Sequence, residues 1–239
     1  MNSLRKVMTI FGTRPETIKM APLVKELQFR PHIQTIVCVT AQHRQMLDQV
    51  LHAFEIVPDY DLDIMQQGQT LSDITTRVLN GLEDIMKLEK PDIVLVHGDT
   101  TTTFAAALAA YYQQIPIGHV EAGLRTYQKY SPYPEEMNRQ MVGVMADLHF
   151  APTSKSMENL LREGKKKENI IVTGNTAIDA LKTTVRDDYH SELLDWAEGS
   201  RLIVLTAHRR ENLGQPMYRM FRAIKRIIDQ YEDVKMVYP

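Results

Sequence analysis

The chain has 239 residues, enough for one large domain or two small ones. Its hydrophobic share of 44% and charged share of 24% are those of a folded globular chain. Lys plus Arg (28) nearly balances Asp plus Glu (30), so a net charge of −2 argues against bulk nucleic-acid or anionic-membrane binding, and any anion site must be local. The single cysteine, Cys38, lies in an apolar run; it excludes an intrachain disulfide framework and reads as a buried, inert thiol in a reducing compartment. No apolar run approaches the roughly 20 residues of a membrane span. Met1 to Lys6 lacks the apolar core of a signal peptide, so the expected location is the cytoplasm.

Lys6 to Phe11 reads as a short buried strand. Gly12 permits a tight turn after it, Pro15 suits the first position of a helix, and Glu16 complements that helix's dipole. Pro22 inside the helical pattern predicts a kink or a restart. Ile33 to Thr40 is a second strand; the helix opening at Ala41 to Gln45 should bury Met46, Leu47, Val50, Leu51 and Phe54. Residues 55–70 read as a loop, and a long amphipathic helix carries Leu71, Ile74, Val78, Leu82 and Ile85 at helical spacing.

The central stretch follows. An apolar strand, Ile93 to Val96, ends in His97-Gly98-Asp99; a helix runs from about Thr101 to Tyr112; a second short strand ends in His119, Glu121 and Arg125. Strand carboxyl ends share one edge of an open parallel sheet, and ligands bind there, so Asp99 and Glu121 should face one crevice. Beyond a loop from Ala122 to Pro134, a helix opens on Glu135 and Glu136, with Met137, Met141, Val144 and Met145 as its expected buried stripe. Leu148 to Ala151 and Ile170 to Thr173 are strands, Thr153 is an N-cap, and a helix extends to about Val185. Residues 186–200 read as irregular or helical linker. A fresh strand, Arg201 to Thr206, ends in Ala207-His208-Arg209-Arg210; a helix spans about Pro216 to Asp229, and Val234 to Tyr238 is a last strand. Alternating strands and helices predict an α/β fold with parallel sheets, divided into residues 1–171 and an incomplete second unit, 172–239.

Each polar cluster has two readings. Gly12 to Glu16 with Lys19 is either an anion contact or an ordinary strand–helix turn; Arg14 at a helix N-terminus opposes the dipole unless an anion compensates, which favours the contact. Asp99 is a general acid or base, or the N-cap of the following helix. Glu121 is a proton-transfer carboxylate, or it pairs with Arg125 to order a loop. Glu135 and Glu136 need no chemistry to explain them in a first turn. His97, His119 and His208 lack the spacing of a helical metal motif and have no cysteine pair beside them, which argues against a metal. His208 with Arg209 and Arg210 reads as a cationic cluster facing a diphosphate, or as a basic surface turn. A lone glycine after the first strand lacks the dinucleotide fingerprint.

The segments F-G-T-R-P-E-T-I-K-M-A-P-L, T-A-Q-H-R-Q-M-L-D, H-G-D-T-T-T-T, G-H-V-E-A-G-L-R-T, S-P-Y-P-E-E-M-N-R, V-T-G-N-T and T-A-H-R-R-E-N, in this order from about residue 6 to the end, resemble the non-hydrolysing bacterial UDP-N-acetylglucosamine 2-epimerases. The resemblance implies two Rossmann-like domains in a glycosyltransferase-B arrangement. It implies interconversion of UDP-N-acetylglucosamine and UDP-N-acetylmannosamine by elimination of UDP to 2-acetamidoglucal and re-addition, with neither NAD nor metal. Position by position it makes Asp99, Glu121 and Glu135 acid/base candidates. His208 and Arg14, with Lys19 beside them and Arg209 in the cationic turn, become diphosphate contacts. Gln42, His43 and Gln45 match a stretch that helps bind a second UDP-N-acetylglucosamine as activator, and a homodimer is usual in the family.

The family's S-G-G-x-Q-E-E-A and R-x-x-T-E-R-P-E segments do not occur in the sequence. The expectation is therefore an amino-terminal portion, with weak UDP binding and little or no activity alone. The competing readings are a glycosyltransferase of the same architecture and a non-catalytic sugar-nucleotide-binding domain; an oxidoreductase is disfavoured by the missing glycine fingerprint.

Overall fold

The computed structural model describes residues 4–42, 44–185, 187–207 and 213–239. They fall into two compact units, Met1–Val185 and Arg186–Pro239; against the boundary expected near residue 172, the division follows Val185.

Seven parallel strands build the first unit: β1 (Arg5–Phe11), β2 (Ile33–Val39), β3 (Tyr60–Asp61), β4 (Ile93–His97), β5 (Ile117–Val120), β6 (Leu148–Ala151) and β7 (Ile170–Val172). Their order is β3-β2-β1-β4-β5-β6-β7. Chain order therefore reverses between β1 and β4, which pair directly with Val7 opposite Ile93 and Ile10 opposite Val96. The crevice of a doubly wound sheet opens at such a reversal.

Alternation along the strands divides the core into two layers. Val7, Phe11, Val37, Val39 and Leu95 face α1 (Arg14–Phe29) and α2 (Arg44–Ala53), with Met20, Val24, Leu47 and Leu51 beneath. Met8, Ile10, Cys38, Val94 and Val96 face α3 (Leu71–Glu89), α4 (Thr101–Tyr112) and α5 (Glu135–Met145). Each fully buried Leu, Ile or Phe is worth roughly 1.5–3 kcal/mol, against about 0–1 for a surface ion pair, so these layers fix the strand register. The register in turn fixes which residues reach the crevice. The α4 helix lies between α3 and α5 with Ala105, Ala106, Ala107, Ala109 and Ala110 all buried. α6 (Ser154–Arg162), capped by Thr153, and α7 (Thr176–Thr184) complete the unit; α7 packs Ala180 into the α1–α2 layer.

Several expectations need correction. The helix α1 runs unbroken through Pro22, whose ring costs it one amide bond without ending it. β3 lies in the stretch read as loop; its two residues carry no period to detect. Gly12 does not adopt a left-handed turn. A Cβ there would stand 1.8 Å from Thr40 Oγ1, so close approach is what requires glycine. Met46 is 42% exposed rather than buried. The buried face of α5 carries Glu136, Asn138, Arg139, Val142 and Gly143, while Val144 is 75% exposed. Four unbranched or β-branched apolar residues suggested a stripe, but the polar residues had partners to bury against.

The second unit holds α8 (Glu192–Ala197) and the parallel pair β8 (Arg201–Val204) and β9 (Val234–Val237), connected through α9 (Gln215–Gln230). Arg201 grips Asp233 through two hydrogen bonds of 2.6 and 2.8 Å, holding the start of one strand beside the start of the other. Within the described residues no helix is long and apolar enough to cross a membrane.

Candidate active site

A cavity of about 500 Å³ lies at the carboxyl ends of β1 and β4. Thr13, Arg14, Pro15, Glu16 and Lys19 bring the first turns of α1 to it; His97, Asp99, Thr100 and Thr101 bring the β4–α4 turn; Glu121 follows β5 and Glu135 opens α5. Asp99, Glu121 and Glu135, from three separate segments, thus share one cavity with Arg14 and Lys19, and Gln42 lines it too. Gln45 is exposed on α2 and is not among the lining residues. His43, His208 and Arg209 lie outside the described residues.

Glu16 joins the two halves of the site. It is 2% exposed. Oε2 accepts from the Gly12 and Thr13 amides at 3.1 and 2.8 Å, the returning half of a capping box. Oε1 meets the Thr100 and Thr103 hydroxyls at 2.8 and 3.0 Å. The loop after β1 is thereby tied to the first turn of α4. Thr100, not Asp99, caps α4: its hydroxyl accepts from the Thr103 amide at 3.1 Å. Asp99 is therefore free of the capping role and turns to Arg139, whose Nη2 is 2.8 Å from its Oδ2. Burial pushes the Asp99 carboxyl up to about 6, with Glu121, Glu135 and Glu16 adding to the rise and Arg139 opposing it.

Glu121 sits at a φ of +62°, a left-handed conformation costly for a residue with a Cβ. Its carboxylate lines the cavity, where Lys19 pairs with Oε1 and His97 Nε2 approaches Oε2 at 3.7 Å. The alternative pairing with Arg125 is overturned: Arg125 makes two bonds of 2.7 and 2.8 Å to Glu163 instead. His119 also turns away; fully buried, it meets the Gly98 carbonyl through Nε2 at 2.7 Å, and burial lowers its pKa to about 3.

His97 is buried with neither ring nitrogen hydrogen-bonded among the described residues, and burial, aided by Lys19, lowers it to about 3. It stands in the site as a neutral imidazole. Glu135 Oε2 is likewise buried and unpartnered among the described residues. Arg14 is exposed at the rim and has no ion-pair partner among the described residues, as suits an anion contact at a helix N-terminus.

Sequence reasoning missed Glu16 as a tie, Arg139 and Asn138. A signal for the last two was present: positions 135, 138 and 139 share one helical face, and all three are polar. For His97 the sequence suggests no role beyond a metal ligand.

An open doubly wound sheet with a carboxylate-lined, cation-rimmed cavity at its switch point defines a Rossmann-like domain. The chain belongs to the UDP-N-acetylglucosamine 2-epimerase family, whose sequence model matches residues 25–239. It is 65% identical over 234 residues to the UDP-N-acetylglucosamine 2-epimerase of Bacillus subtilis, covering 98% of this chain and 62% of the relative. It is similar to the crystal structure of a putative UDP-N-acetylglucosamine 2-epimerase from Listeria monocytogenes, with 62% identity and a TM-score of 0.94 over 99% of this chain and 62% of that one. It is also similar to the Neisseria meningitidis UDP-GlcNAc 2-epimerase bound to UDP-GlcNAc, at 51% identity and a TM-score of 0.89 over 98% of this chain and 65% of that one. The chain thus spans less than two thirds of the length of these relatives, and its fold is that of glycosyltransferase-B-like epimerases.

Proposed function

We propose that this chain carries the carboxylate half of a site that interconverts UDP-N-acetylglucosamine and UDP-N-acetylmannosamine. The observation that supports it most is the convergence of Asp99, Glu121 and Glu135 on one cavity rimmed by Arg14 and Lys19. In the forward direction a carboxylate removes the C2 proton. The C–H electron pair becomes the C1–C2 double bond of 2-acetamidoglucal, and the C1–oxygen bond breaks to release UDP. The reverse addition, with the proton delivered to the other face of C2, gives the epimer. Carboxylates on different walls of the cavity suit a reaction that handles protons on two faces.

Asp99, raised to about 6, exchanges its proton close to neutral pH, where general acid–base catalysis is most efficient. Arg14, at the N-terminus of α1, takes the leaving diphosphate, a positive group placed where charge develops. His208 and Arg209, outside the described residues, are the further diphosphate contacts of this reading. Neutral His97 donates or accepts a hydrogen bond but carries no charge to the substrate. The activator role of Gln42, His43 and Gln45, the homodimer and a cytoplasmic location belong to the same reading. Gln42 supports it in part: its side chain lines the cavity and accepts from Thr102 at 2.9 Å.

The test is solvent exchange in D₂O, followed by proton NMR of UDP-N-acetylglucosamine, in a chimera that continues this chain with the remaining length of the Bacillus subtilis relative. Deuterium at C2 with formation of the manno epimer is expected, lost in Asp99→Asn. Epimerisation without label at C2 would refute the elimination route.

A further inference from the structure

Asp99 is held by α5 at two points. Asn138 Nδ2 donates to its backbone carbonyl at 2.9 Å, and Arg139 Nη2 meets its side-chain Oδ2 at 2.8 Å. Arg139 is only 9% exposed. Its Nη1 lies 3.7 Å from Glu136 Oε2, and its Nε donates to the Glu135 carbonyl at 3.4 Å. Glu136, fully buried, is fixed in turn by the amides of Thr126 and Tyr127, both at 3.0 Å, and by Gln140 Nε2 at 2.8 Å. The guanidinium is thus clamped within its own helix before it reaches across to Asp99.

The other charged groups around Asp99 are carboxylates: Glu16 from α1, Glu121 from the turn after β5, and Glu135 from α5. Lys19, the neighbouring cation, is engaged by Glu121, and His97 at the end of β4 is neutral. We propose that Arg139 is the positioning residue of the site: it selects the side-chain orientation of Asp99 and supplies the positive charge that lets this carboxylate ionise beside three others, while Asn138 fixes the backbone that carries it. A planar fork held at one end by Glu136 gives direction as well as charge, which an ammonium on a flexible stem would not.

The consequence for proton transfer rests on the reading of Asp99 as an acid or base; the coupling of the two side chains does not. Without Arg139, burial and three like charges act on Asp99 unopposed. The proton would then stay on Asp99 at neutral pH, and a base at this position would be lost. With Arg139 in place, both protonation states are within reach.

Titration of the side-chain carboxyl carbon of Asp99 by carbon NMR, assigned with Asp99→Asn, tests this on the chain itself and needs no turnover. A midpoint near pH 6 is expected for the unaltered chain. Arg139→Met should move it up by about 1 unit or more, the effect of removing an opposite charge in contact. Arg139→Lys should fall between the two. If Arg139→Met does not fold, Arg139→Gln takes its place. An unmoved Asp99 midpoint in a folded uncharged variant overturns the proposal, as does a shift in Arg139→Lys equal to that of the uncharged variant. A failed C2-exchange experiment alongside the expected titration would overturn the proposed reaction and leave the positioning intact.

Discussion

Replacement of Glu16 by alanine separates a helix-dipole residue from a structural tie. A first-turn acid acting only on the dipole is worth about 0.3–1 kcal/mol. Glu16 does more, because it receives the Gly12 and Thr13 amides and contacts two threonine hydroxyls. The hydroxyls have other partners: Thr103 reaches the His97 carbonyl at 2.5 Å and Thr100 reaches Thr103 at 3.0 Å. The two amides have none. Two buried donors left unmet cost roughly 1–3 kcal/mol each, so Glu16→Ala should destabilise the first unit by about 2–6 kcal/mol. Glu16→Gln keeps one oxygen for the amides and turns its NH₂ toward hydroxyls that can accept, so its cost should be nearer 1 kcal/mol. The only tryptophan, Trp196, lies in the second unit. Urea unfolding followed by far-UV circular dichroism, with tryptophan fluorescence in parallel, therefore resolves the two units. A loss of less than about 1 kcal/mol in Glu16→Ala, or equal losses in the two variants, would refute the tie.

Gly12→Ala should destabilise by about 2–3 kcal/mol through the clash with Thr40 Oγ1, and Thr40→Ala in the same chain should recover part of it; thermal melts of the single and double variants decide this. Asp99 has a folded-state pKa above its ordinary value of 3.8. Its contribution to stability is complete below about pH 4 and is lost as pH rises through about 6. Asp99→Asn should accordingly be stabilising at pH 7.5 relative to its effect at pH 4.5, a difference urea titrations at both values would detect. Glu136→Ala should cost about 3 kcal/mol, chiefly by leaving the buried Arg139 guanidinium without its carboxylate and releasing the Thr126 and Tyr127 amides; hydrogen exchange should quicken at Thr126 and Tyr127 before it does in the sheet.

The sheet was legible because its strands are short apolar runs with turn residues after them, and Ile93–His97 followed by an alanine-rich helix allows little else. The convergence of Asp99 and Glu121 followed from parallel strands alone. The capping of α4 did not. Asp and Thr both cap well, and which of two adjacent residues takes the role depends on the Arg139 that draws Asp99 away. The buried face of α5 was misread for a related reason. Hydrophobic spacing assumes that polar side chains seek water, whereas Glu136 is satisfied by the preceding loop and Asn138 and Arg139 by a turn far off in sequence. Gly12 shows the same limit: a glycine's need for space appears only once Thr40 of the next strand is beside it.

The alanines of α4 give this arrangement a support that no polar contact supplies. Methyl groups set how near α5 can come, and α5 carries Glu135, Asn138 and Arg139 on its inner side. Bulk added behind this wall of the cavity would act as a spacer, easing the guanidinium away from Asp99 while every polar residue stayed unchanged. The chemistry at the front is gauged by smallness at the back, so a silent-looking exchange of alanine for valine in this helix is where drift in proton affinity would first enter.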